Sequence, residues 1–180
     1  STMVDRIVPA TTDADLADAE RLLGLHDAAP VQAEPFGQWI IEDRFAGPRP
    51  PWEKAGAQLV ADVAPFELMK LRLLNGSHST LAYLGWLMGH EYVWQASSDP
   101  LLATLVERQM AEEIVPTLVH PPGMDLTAYC GDLMTRFRNR ALPHRTYQIA
   151  MDGSQKLPQR MLGTVRDRLA AGAALEHLPL

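Results

Sequence analysis

From Pro65 onward apolar residues recur at helical spacing, whereas strand-like spacing is confined to the residues before it. Val4 to Val8 alternates weakly and ends at Pro9, which predicts a short strand. Thr11-Thr12-Asp13 offers caps ahead of Leu16, Ala19, Leu22 and Leu23, and Gly24 closes that helix. Phe36 to Ile41 is aromatic and β-branched, so it reads as a second strand; Gln58 to Val63 is ambiguous and fits a third. Pro65 suits a first helical position. Leu68 to Leu74 and Leu81 to Leu87 are two apolar helical stretches, and Asn75-Gly76-Ser77 between them predicts a kink or a helix-to-helix junction. Ser98-Asp99-Pro100 starts a helix that runs to about Ile114, ahead of Pro116, and Asp125 caps another through Phe137. Thr146 to Met151 reads as a helix stopped at Asp152-Gly153-Ser154; a last one follows Pro158 and ends at Gly172. The expected fold class is therefore mainly α. Residues 1–64 form a mixed segment of short strands and a helix, and residues 65–180 a helical domain. Two or three strands are marginal by themselves. They are expected to belong to a sheet completed elsewhere, in a longer polypeptide.

Composition narrows the function classes. The 180 residues carry a hydrophobic fraction of 47% and a charged fraction of 21%, ordinary for a globular domain. A net charge of -6 is the wrong sign for a nucleic-acid footprint, and Lys and Arg form no run that would favour a membrane surface. No apolar run reaches the length of a membrane span. The single cysteine, Cys130, excludes an internal disulfide framework and is compatible with the cytoplasm; its apolar setting reads as filler. The six histidines form no H-x-H or H-x3-H pair, so no metal site is expected. Trp39, Trp52, Trp86 and Trp94 are expected in the core.

The chemistry concentrates in Lys70-Leu71-Arg72-Leu73-Leu74-Asn75-Gly76-Ser77-His78. On an ideal helix, with Lys70 at zero, Asn75 lies at about 140° and His78 at about 80°, so the three share one face. An amine, a carboxamide and an imidazole among leucines are costly unless paired or used. Such a set can serve a reaction that needs a proton moved and hydrogen bonds to an oxygen that gains charge. Lys70 can move the proton, and Asn75 and His78 can hold the oxygen. Each also has a plain structural reading: a lysine snorkelling to water, an asparagine before a glycine, a core histidine. Glu67, three residues before Lys70, can form a surface pair with it. Arg145 can fork onto a carboxylate or serve an ordinary salt bridge, and Gln148 lies one turn beyond it.

Three blocks, Val4-Asp5-Arg6-Ile7, Pro65 to Ser79 with its Lys-x4-Asn-x2-His, and Ile149-Ala150-Met151-Asp152-Gly153-Ser154-Gln155-Lys156-Leu157-Pro158, resemble the polyol-specific long-chain dehydrogenases over nearly the whole chain. That family includes mannitol 2-dehydrogenase and fructuronate reductase (mannonate oxidoreductase). The resemblance implies a helical C-terminal substrate domain preceded by the last strands of a Rossmann domain, and NAD or NADP held mainly by the part of that domain lying outside this chain. No G-x-G-x-x-G fingerprint is present. It further implies that Lys70 transfers the proton, Asn75 and His78 stabilise the oxyanion, Glu67 relays the proton, and Asp5, His144, Arg145 and Lys156 bind substrate. The partners implied are a sugar, polyol or uronate and the N-terminal Rossmann domain, with neither nucleic acid nor membrane. Fructuronate-to-mannonate conversion is the favoured activity because Arg145 offers a carboxylate partner. Mannitol 2-dehydrogenase is the rival within the family, and a non-catalytic helical interaction module the rival outside it.

Overall fold

A computed structural model describes residues 1–178 of the chain. Its three strands pair with each other. β1 (Thr2–Asp5) runs antiparallel to β2 (Gln38–Glu42), with Met3 opposite Ile40, and β3 (Gln58–Val60) runs parallel to β2. β1 stops at Asp5, earlier than alternation predicts, because the chain beyond it finds other partners. The Ile7 amide donates to the Glu34 carboxylate at 2.6 Å, and Ile7 O accepts from the Glu34 amide. Met3 and Ile40 pack on Val63 and Phe66, which seats the sheet against the start of the helical part. Between β1 and β2 lies α1 (Asp13–Leu23). Thr12 and Asp15 cap it reciprocally, and Gly24 ends it in the left-handed region at φ 66°. None of its residues is buried.

The helical part is built around one long rod. α2 (Ala64–Met69) passes without interruption through a π-helical turn, Lys70–Gly76, into α3 (Ser77–Leu87). At the expected junction, Asn75-Gly76-Ser77, π-helical geometry gives way to α-helical geometry while the chain stays helical, with Gly76 at φ -64°. Glycine is needed there for room: a Cβ on Gly76 would lie 2.9 Å from the backbone oxygen of Arg160. Met69, Leu73 and Leu81 on this rod are fully buried, together with Val106, Met110 and Leu133 from helices around it.

Those helices are α4 (Val93–Ser98), α5 (Pro100–Arg108), α6 (Leu126–Phe137), α7 (Thr146–Ala150), α8 (Gly153–Leu157) and α9 (Gly163–Ala170). Asp99 and Asp125 cap α5 and α6 through their carboxylates. α5 continues as a π turn over Gln109–Ile114, and α9 is preceded by another over Pro158–Leu162. Two helices depart from expectation. α4 carried no clear start signal. α8 forms where Asp152-Gly153-Ser154 predicts a stop, since Asp152 turns the chain at φ 59° and helix resumes at once. Lys156 thus stands on a short helix and not in a loop.

The tryptophans also depart from expectation, for none is buried. Trp39 and Trp86 are exposed, and Trp39 sits against Trp52, which in turn meets Phe45. Cys130 packs beside the core, and burial pushes its thiol up to about 11, which removes the reactivity of a thiolate. Among the described residues no helix is long and apolar enough to cross a membrane.

Candidate active site

The π turn decides how the Lys70, Asn75 and His78 side chains are presented. Its hydrogen bonds join residues five apart, so Asn75 is stacked over Lys70 more directly than on an α-helix. His78 follows at the start of α3. All three line one open cavity of about 220 Å³ between the rod, the residues after β1, and α7 and α8. His144 and Lys156, also expected at the site, line it too.

Each side chain has distinct surroundings. The Lys70 ammonium donates to the carbonyl of Val4 in β1 at 2.5 Å, which tethers it at the edge of the sheet. The Asn75 carboxamide has no protein partner among the described residues, and its backbone carbonyl accepts from the Ser79 hydroxyl at 3.0 Å. His78 is buried, stacked on Phe137 at 5.3 Å between centroids and touched edge-on by His144 at 5.0 Å. Burial holds its pKa well below the usual histidine value, and the charges of His144, Arg160, Arg136 and Lys156 push it the same way. His78 is therefore a neutral imidazole at physiological pH, with one N–H to give. His144 is pulled down to about 4 by burial and then by Lys156. Its Nδ1 is buried without a partner.

Three expected site residues stand elsewhere. Asp5 is fully buried but does not line the cavity. It accepts from the Tyr129 hydroxyl at 2.6 Å and from two Arg136 nitrogens at 2.6 and 3.2 Å. Arg136 also reaches Glu34 at 2.7 and 3.0 Å and lies 4.1 Å from the centre of the Phe36 ring. This closed network joins the end of β1 to α6. Arg145 is exposed and pairs with Glu91, outside the cavity. Glu67 is exposed and forms no ion pair with Lys70 among the described residues. Gln148, in contrast, does line the cavity.

Two further cations line it that sequence reasoning missed, Arg6 and Arg160. Arg6 sits inside the first of the three recognised blocks, and Arg160 follows Lys156 by four residues, the spacing of a shared helix face. Either could have been found that way. Among the described residues no group of three His, Cys, Asp or Glu could hold a metal ion.

Comparison with known proteins places this arrangement. The model of the mannitol dehydrogenase C-terminal domain matches residues 62–180, and that of the mannitol dehydrogenase Rossmann domain matches residues 1–54. D-mannonate oxidoreductase of Escherichia coli (strain K12) is 54% identical over 99% of this chain and 37% of its own length. Mannitol 2-dehydrogenase of Pyrenophora tritici-repentis is 42% identical over 100% of this chain and 32% of its own. The solved ternary complex of Pseudomonas fluorescens mannitol 2-dehydrogenase with NAD and D-mannitol superposes with a TM-score of 0.89. It is 42% identical and covers 96% of this chain and 35% of that one. The chain thus spans about a third of the length of such relatives. The order of its elements, their superposition and the two matched models have one conclusion: the chain belongs to the mannitol dehydrogenase family.

Proposed function

We propose that the chain is the substrate half of an NAD- or NADP-dependent dehydrogenase that interconverts a C2 keto-uronate and its aldonate, fructuronate and mannonate being the favoured pair. Residues 1–64 would close the nucleotide domain and residues 65–180 would form the catalytic domain. The observation that carries the reading is that Lys70, Asn75 and His78 meet at one open cavity. The names of the relatives that share its fold support it.

The donor set fits a nicotinamide cofactor. Lys70, Asn75 and neutral His78 can all donate hydrogen bonds, which suits a carbonyl oxygen that gains negative charge. When bound, the nicotinamide supplies the hydride. Lys70 delivers the proton to the alkoxide oxygen and takes it back in the reverse direction. The Asn75 carboxamide and the His78 N–H hold that oxygen. Phe137 and His144 fix the His78 ring by packing against it. Proton exchange between Lys70 and solvent through Glu67 would need Glu67 to turn inward from its exposed position. Lys156 and His144 bind substrate oxygens. Asp5 supports the site from behind through Arg136, and Arg145 stands one residue from His144 and steadies its segment through Glu91.

The test is cofactor absorbance with the full-length protein given fructuronate, fructose and tagaturonate in parallel. Oxidation with fructuronate supports the reading. Turnover of fructose alone moves the assignment to mannitol 2-dehydrogenase. Silence on all three, with a Lys70→Ala variant that loses stability, favours a helical interaction module.

A further inference from the structure

We propose that Arg160 is the carboxylate anchor of this cavity and makes it prefer a sugar acid over a neutral sugar. The inference rests on the function proposed above and locates its specificity.

The charge balance of the cavity comes first. Among the described residues four cations line it, Arg6, Lys70, Lys156 and Arg160, and no Asp or Glu does. A wall of one sign asks for a ligand of the other. Neutral hydroxyls alone give no reason to gather four positive charges in a chain whose net charge is -6.

Of the two guanidiniums among them, Arg160 keeps the more open fork. Arg6 is held by backbone: its Nε donates to the carbonyls of Glu34 and Phe36 and its Nη2 to that of Pro35, which leaves Nη1 over. Lys70 donates to Val4 and is occupied by the reacting oxygen in the proposed chemistry. Lys156 leans on the Ile149 carbonyl at 3.4 Å and faces the Asp152 carboxylate at 3.8 Å. Arg160 donates one bond, to the Ser79 hydroxyl at 3.1 Å, and pairs with no carboxylate among the described residues. A guanidinium has five N–H donors in a planar fork. The remaining ones have no protein acceptor among the described residues, on a side chain that lines the cavity. Burial disfavours its charge, and Tyr83 offsets that only in part. A bound carboxylate would supply the missing compensation in bidentate form.

Placement is firm. Ser79 accepts from Arg160 and donates to the Asn75 carbonyl, so the arginine is tied to the turn that carries the catalytic groups. The close approach of Gly76 to the Arg160 backbone holds the two segments together. The fork and the oxygen-binding groups thus stand at fixed separation, as required to read a carboxylate and a carbonyl on one molecule.

The experiment uses the full-length protein, as wild type, Arg160→Gln and Arg160→Lys. Each is assayed on fructuronate and on fructose, and mannonate binding is measured by calorimetry in the presence of NAD. Arg160→Gln is expected to lower kcat/KM for fructuronate roughly 100-fold, chiefly through KM, with fructose changed less than about threefold. Arg160→Lys should recover part of the loss, since it keeps the charge but not the fork. Mannonate binding should weaken in parallel. Equal losses on both substrates, or mannonate bound as tightly by Arg160→Gln as by wild type, would overturn the role of Arg160. If wild-type protein reduces fructose and not fructuronate, the proposed substrate falls. The mannonate titration then still decides whether Arg160 binds a carboxylate.

Discussion

Two clusters of charge lie close together and solve opposite problems. Around Arg136, Asp5 and Glu34 are buried and every cationic nitrogen has a carboxylate within hydrogen-bond reach. Around Lys70 and Arg160 the positive groups line open space with no acidic partner on the wall. The first cluster is finished by the chain itself and joins sheet to helix. The second is completed only by something that enters. The difference teaches which conspicuous charges in this fold serve structure and which are left for chemistry. Burial alone does not distinguish them, since Asp5 is the most buried of these charges and yet is fully engaged by Arg136 and Tyr129.

The sharpest way to break the comparison is to remove the central group of each cluster. Lys70→Ala in the full-length protein should lower kcat by roughly 10²- to 10⁴-fold while the urea midpoint holds. A collapse of the midpoint with turnover per folded molecule preserved would make Lys70 structural. Arg136→Met should do the reverse. It strands two buried carboxylates and is expected to cost about 3–5 kcal/mol of stability. Urea unfolding measures it directly, and an unchanged midpoint would show that water already reaches the network.

A smaller effect should appear on titration. His144 has a folded pKa of about 4 against an unfolded value of about 6.5. Its folded pKa is depressed, so the unfolded chain takes up the proton first. Stability is full above about pH 6.5 and falls as pH drops towards 4, by about 2 kcal/mol once partial exposure is allowed for. His78 acts in the same direction. Denaturation series between pH 7 and 4 should show the slope, and His144→Asn should flatten it; equal slopes in both proteins would assign the acid sensitivity elsewhere.

The smallest change is expected at Arg145. It is exposed and paired with Glu91 at the surface, a kind of pair that contributes little. Arg145→Ala should leave the midpoint in place and alter kcat/KM for fructuronate by less than about threefold. A loss as large as that of Arg160→Gln would return the carboxylate contact to Arg145 and erase the contrast between the two arginines.

Much of the candidate cavity lining was legible along the chain because Lys70, Asn75 and His78 sit on one continuous helical segment, and local spacing sets which face a helical residue takes. Lys156 was legible as part of a block, although its loop proved to be a helix. Asp5 and Arg145 show what such reading does not reach. Both were chosen for charge and position in the chain, yet Tyr129 and Arg136 come from more than a hundred residues away, and Glu91 from more than fifty, to occupy them. Nothing local to either residue announces those partners. The tryptophans failed for a related reason: size and apolarity fix a preference for burial, but only the packing of neighbours decides who is covered.

By itself, then, the sequence determined the helical character after Pro65, the caps at Thr12, Asp99 and Asp125, and the common face of the three catalytic candidates. All of these follow from interactions within a few residues. Tertiary structure decided that position 76 must be glycine, since the Arg160 backbone oxygen leaves no room there for a Cβ. It also decided which cations would be neutralised and which left facing the cavity. Pairing of charges is a matter of distance in space, and separation along the chain does not encode it.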